Sequence, residues 1–308
     1  MQTAPHLHRK RRSWIFRFFA TMKAGLLLCV AAALFTVTVA QAPAPSPSLT
    51  TEVLNFALNL EYLEAEFYSC AATGQPLPAD LRGGGPASTG CEKAILDAKT
   101  QAIAEELADN EIAHVTLLRT ALGAEAVPIP QLNIGSAFAA AADAAAGMTL
   151  TPTFSPYLNS LFFLHGAFIF EDVGVTAYAG AAPLIATSSY LGDAARILAV
   201  EAYHAGIIRD ELYQSIDVVT PYNITVGDLI DAIAALRNKV GAGSAEGLES
   251  TSGALTLVPT DAMGLVYTRT PAEVIAIVTL GASNGRGGFF PDGLNGALGA
   301  ASQTATGG

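Results

Sequence analysis

Two short patterns in this chain are suited to metal chemistry, Glu111-x-x-His114 and Glu201-x-x-His204. Residues three apart share one face of a helix, so each pair offers a carboxylate and an imidazole to a single ion. After the first fifty residues the chain has three histidines, His114, His165 and His204, and two of them stand in this pattern. Two further glutamates extend it. Tyr68 follows Glu61 by seven residues, and Tyr178 follows Glu171 by seven. Seven residues is about two helical turns, which predicts each tyrosine below its own glutamate on one stripe. The chain therefore reads as two similar halves, each a Glu-x6-Tyr helix followed by a Glu-x-x-His helix.

The predicted ligands are Glu61, Glu111, His114, Glu171, Glu201 and His204. Four carboxylates offset two divalent ions, with the imidazoles binding neutral. Without ions, four glutamates in an apolar core would be strongly destabilising and would partly protonate. Oxygen and nitrogen donors without thiolate favour Fe, with Mn or Zn as alternatives. Glu64 also faces inward and could add to Glu61 or replace it as the ligand of its helix. Tyr68 and Tyr178 read either as core residues with satisfied hydroxyls or as supports for the ligands. His165 falls beside the stripe and reads as a packed or supporting residue.

These side chains need helices to position them. Apolar positions at alternating steps of three and four run through residues 51–70, 92–122, 156–180 and 190–215, interrupted by the Glu, His and Tyr already named. A long connection over about 123–155 separates the second helix from the third and holds a short helix, SAFAAAADAAA. Such a length allows two helical hairpins to pack through a crossover. Residues 225–240 predict a fifth helix, and Pro271 opens a short terminal one ending near Leu280. The Gly-rich stretch beyond it is expected to be irregular, with Phe289 and Phe290 as anchors on the bundle.

The ends and the charge define the setting. Six of 16 basic residues precede the first acidic one, Glu52, and lead into the uncharged run Ala24–Ala40. That run suits a signal peptide (1–40) cut before Gln41, or an uncleaved signal anchor. A Pro-rich linker follows over 41–49. The remainder holds ten basic against 27 acidic residues, about −17, which excludes binding nucleic acid through its phosphates. Once the signal is removed, no membrane partner is expected. Cys70 and Cys91 bracket a Gly/Pro-rich loop, and an oxidising compartment would join them as a disulfide. Asn223-Ile224-Thr225 is a glycosylation sequon, making Asn223 a candidate in a eukaryotic secretory route.

Three segments carry a family resemblance: LNFALNLEYLEAEFY, the Cys70 loop with its GGGP and GC, and the terminal RTPAEV…GGFFPDGLNG. Over most of residues 50–296 the chain resembles the desiccation-related proteins, exported members of the ferritin-like superfamily. The resemblance implies an all-α ferritin-like four-helix bundle over 50–217, with a C-terminal helical extension and Gly-rich tail over 218–308. It also implies a di-iron centre at the six ligands named above. Two functions fit. One is a di-iron oxidoreductase, secreted or extracytoplasmic, that oxidises Fe(II) or reduces oxygen or peroxide under stress. The other is a non-catalytic protective protein that uses metal only to hold the bundle. A ferritin-type storage cage fits less well, because the loops and tail would obstruct the assembly.

Overall fold

A computed structural model describes residues 48–241, 247–249 and 255–299. The signal segment, residues 41–47 of the linker and residues 300–308 of the tail lie outside them. The described residues are helical without a named strand: α1 Leu49–Thr73, α2 Ala98–Leu122, α3 Ser136–Ala146, α4 Ser160–Ala181, α5 Leu191–Tyr213, α6 Val226–Gly241 and α7 Pro271–Val278. α1 packs along α2 and α4 along α5, and the two hairpins meet through α1 and α4. α2 and α5 do not pack closely on each other. α3 sits in the long crossover and packs on α6, which in turn packs on α7.

α1, α2, α4 and α7 each begin where a side chain accepts hydrogen bonds from the first amides. Ser48 accepts from Thr51 N at the head of α1, and Gly74 ends that helix in the left-handed region at φ 76°. α2 starts six residues later than the periodicity predicts. Residues 92–97 instead stay outside any helix, with Ala94 N donating to Ala71 O and Ile95 N to Tyr157 O. Asp97 then caps α2, accepting from Lys99 N and Thr100 N. The Ser160 hydroxyl and the Thr100 amide hold its carboxyl down at a pKa of about 2. Asp97→Ala is expected to cost about 1 kcal/mol and Asp97→Ser very little. The check is the urea midpoint at unchanged slope.

α1 and α4 are the central pair. Along α4 the chain from Phe162 to Tyr178 is buried on every side. Its length and composition would allow it to cross a membrane, but in this fold neighbouring helices cover it. Phe67 of α1 packs against Phe138, Phe163 and Phe170. Phe289 completes this cluster edge-on to Phe138 and Phe170. Phe289 and Phe290 are both buried, so the C-terminal segment is anchored on the bundle as expected. The Cys70–Cys91 disulfide joins the end of α1 to the loop that follows. Closing 21 residues is worth about 3 kcal/mol in the chain-entropy model. Asn223 is exposed on a turn at φ 60°.

One buried polar network has no counterpart in the sequence reading. Asp172 of α4 accepts from Arg209 of α5 at 2.7 Å and from Arg237 of α6 at 3.0 Å. The Arg237 and Arg209 guanidiniums lie 4.4 and 5.4 Å from the centre of the Phe168 ring. Arg209 also donates to the carbonyls of Gly247 and Thr256, tying the C-terminal segment to α5.

Candidate metal centre

The inward faces of α1, α2, α4 and α5 bring all six predicted residues into one buried cluster. Glu61, Glu111, His114 and Glu201 place ligand atoms within 4.8 Å of one another, and so do Glu111, Glu171 and His204. Glu111 belongs to both groups, and its two oxygens face opposite ways. Oε2 lies 2.9 Å from His114 Nδ1, and Oε1 lies 3.0 Å from His204 Nδ1. His114 Nδ1 is also 3.1 Å from Glu61 and 3.6 Å from Glu201. His204 Nδ1 is 3.4 Å from Glu171. Such a set could hold one ion on each side of Glu111.

The donor atoms point at shared space more than at one another. Glu111 Oε1, Glu171 Oε2, both oxygens of Glu201 and His204 Nδ1 are buried without a hydrogen bond among the described residues. His204 Nδ1 and Glu111 Oε1 are close in distance but misaligned for a bond. Buried polar atoms are normally paired, so five orphans around one point call for a missing partner. Hard oxygen and imidazole donors suit a divalent transition metal. The residues fit the group.

Without an ion, protons carry the balancing charge. Burial disfavours a charged His114, yet the carboxylates of Glu61 and Glu111 overcome it and push its pKa up to about 11. Glu171 and Glu111 act likewise on His204, pushed up to about 10. Burial would raise Glu111, but the two imidazoles bring it down to about 2. Glu61 is raised to about 7, first by burial and then by the charge of Glu111. Burial and neighbouring carboxylates, Glu64 foremost, raise Glu201 well above the usual range.

The tyrosines support the ligands, and they do so across the helix pair. Neither serves the glutamate on its own helix. Tyr68 of α1 donates to Glu171 of α4, and Tyr178 of α4 donates to Glu61 of α1. Two turns of helix carry each tyrosine past its own glutamate and alongside that of the facing antiparallel helix. The halves are thus cross-braced. Gly174 is a second feature that sequence reasoning missed. A Cβ there would sit 2.2 Å from Glu201 Oε2 and 3.4 Å from Glu64 Oε1, so glycine makes room for two carboxylates. A glycine among bulky residues, three positions after Glu171, was the available signal.

Glu64 is buried beside the cluster but outside both ligand groups, whereas Glu61 is inside one. His165 lies apart. It is buried in α4, with Nδ1 2.7 Å from Leu161 O, and burial lowers its pKa to about 4.

Comparison with known proteins finds ferritin-like relatives. A family model described as a ferritin-like domain matches residues 50–214. The desiccation-related protein PCC13-62 of Craterostigma plantagineum is 39% identical over 194 residues, which span 61% of this chain and 61% of that protein. The ferritin-like catalase Nec2 of Nesocodon mauritianus is 32% identical over 263 residues, 80% of this chain and 84% of the relative. No solved structure matches.

Proposed function

The chain belongs to the ferritin-like domain family, and from that premise we propose that its buried cluster holds two divalent transition-metal ions, iron foremost, and disproportionates hydrogen peroxide. The carrying observation is the set of five orphaned donor atoms around Glu111. The relative named a ferritin-like catalase, aligned over most of both chains, supports the choice of substrate. The bound pair would supply two-electron exchange at one place, so one peroxide is oxidised to dioxygen while another is reduced to two waters. No outside oxidant or reductant is needed.

The chain's own part is binding, orientation and exclusion of water. Glu111 spans the two positions. Glu61 and His114 face one of them, and Glu171 and His204 the other. Tyr68 and Tyr178 hold the outer oxygens of Glu171 and Glu61, fixing which lone pairs face inward. Phe163 and Phe170 line the neighbouring core and keep bulk water away. We place the protein in an oxidising, extracytoplasmic compartment, a reading that the Cys70–Cys91 bond supports.

Metal content and oxygen evolution test the proposal together. Purified protein loaded with Fe(II) or Mn(II) is expected to hold two ions per chain and to release one dioxygen for every two peroxides consumed. Protein that binds no transition metal would rule the reading out. A bound, peroxide-inert metal would instead favour a non-catalytic protective role, the reading suggested by the desiccation-related relative. Metal must also displace the protons held on His114, His204 and Glu61. Loading is therefore expected to acidify a weakly buffered solution, and affinity should fall as pH drops from neutral to mildly acidic. Calorimetry in buffers of different ionisation enthalpy measures the released protons. Equal heats across buffers would contradict the assignment.

A further inference from the structure

Glu66 is a buried carboxylate outside the metal cluster. It lies on α1 one turn ahead of Cys70, and both residues are fully buried. Its Oε2 accepts from the Ser88 hydroxyl at 2.8 Å and lies 4.0 Å from Cys70 Sγ. Its Oε1 has no hydrogen bond among the described residues. A carboxyl this deep is costly unless its oxygens are paired. Cys70 Sγ is close enough for a thiol to donate, yet as half of the disulfide it has no proton to give. Reduction would supply that proton. The two sulfurs also differ in access, since Cys91 on the loop is partly exposed and Cys70 is sealed inside. Arg82 faces the carboxyl from the loop and Tyr157 from the stretch before α4, with Glu92 near Tyr157. Burial pushes the pKa of Glu66 up against the pull of Ser88, the Leu77 backbone and Arg82, and it pushes Tyr157 up as well.

We infer that Cys70–Cys91 is an exchange-active disulfide whose partner is a dithiol, and that Glu66 is the acid–base group of the Cys70 sulfur. This site is independent of the metal chemistry. A thiolate of the dithiol attacks the more accessible Cys91 Sγ. A bond forms between those two sulfurs as the Cys70–Cys91 bond breaks, and the electron pair leaves on Cys70. The Glu66 carboxyl passes its proton to Cys70, becoming a carboxylate to which the new thiol donates. The dithiol's second thiolate then displaces Cys91, which takes a proton from water. The dithiol is thereby oxidised by two electrons and the cysteine pair reduced. In reverse, Glu66 takes the proton from Cys70 and an oxidised dithiol closes the bond, the direction that an oxidising compartment favours.

The test follows reduction of the folded protein by dithiothreitol, counting free thiols across pH and dividing each rate by the reagent's thiolate fraction. In wild type this corrected rate is expected to fall as pH rises through the raised pKa of Glu66, because only the protonated carboxyl can serve the leaving sulfur. Glu66→Gln keeps the volume and an acceptor for Ser88 but has no proton to pass. Its corrected rate should be at least about tenfold lower at mildly acidic pH and flat across the range. Ser88→Ala keeps the acid and removes a bond that holds its pKa down, so its profile should survive and move to higher pH. A purely structural Glu66, holding the loop through Ser88, would make the two variants behave alike and would overturn the inference. Should Glu66→Gln fail to fold, the direction of the shift in Ser88→Ala still decides. A brief reaction with 2-mercaptoethanol, mapped by mass spectrometry, should place the adduct on Cys91. An adduct on Cys70, a bond that resists dithiothreitol until the helices melt, or matching profiles in wild type and Glu66→Gln would each overturn it.

Discussion

Glu111→Ala is expected to abolish metal binding altogether, where His204→Ala removes only one ion. The difference follows from the sharing of Glu111. Its two oxygens face His114 and His204 separately, and it is the residue common to both ligand groups. Removing it leaves Glu61, His114 and Glu201 on one side and only Glu171 with His204 on the other. It also leaves the two positions with one carboxylate fewer to offset two doubly charged ions. Removing His204 leaves the first group complete. Elemental analysis after loading and desalting should read two ions per chain for wild type, none for Glu111→Ala and one for His204→Ala. Peroxide turnover should be lost in both variants, because two-electron exchange needs the pair. Circular dichroism should stay helical in both, since the hairpins are held by apolar packing outside the cluster. Two ions retained by Glu111→Ala would show that the centre is built around another carboxylate.

Much of this was legible beforehand because helical spacing turns residue order into geometry. The two Glu-x-x-His pairs and the positions of Glu61 and Glu171 predict one convergent set, and the structure brings those six side chains together. The short helix over Ser136–Ala146 and the crossover around it also follow from composition. Other features depend on which helix faces which, and one strand of sequence does not carry that. The tyrosines illustrate it. Spacing places Tyr68 correctly on its stripe, but the oxygen it reaches belongs to Glu171 on the facing helix. The choice between Glu61 and Glu64 likewise turns on the rotation of α1, which puts Glu61 within the ligand group and Glu64 beside it. The late start of α2 reflects a competition that periodicity cannot weigh, since backbone bonds to Ala71 and Tyr157 hold residues 94 and 95 out of the helix.

Asp172 shows the same limit most sharply, and its removal is expected to have the largest effect on stability. In sequence an Asp beside Glu171 reads as one more polar residue, because charged side chains are rarely buried. In the fold it lies in the core, and both arginines that it pairs with are buried as well. Asp172→Ala takes away the anion between two guanidiniums that stack on the same Phe168 ring. Breaking a buried pair in this way costs about 3–5 kcal/mol, a large part of the roughly 5–15 kcal/mol that holds a domain folded. The loss should be nearly independent of salt, because buried charges are poorly screened. The arginines also bind backbone carbonyls of the C-terminal segment and of Phe168. Proteolysis within that segment is therefore expected to quicken in the variant before the bundle itself opens. Replacing the triad together, with Asp172→Leu, Arg209→Met and Arg237→Met, should restore most of the stability, since apolar groups of similar volume can substitute for a buried ion cluster. Denaturant melts of the single and triple variants decide the matter. A loss below about 1 kcal/mol in Asp172→Ala would mean that the carboxylate contributes no more than an exposed pair does.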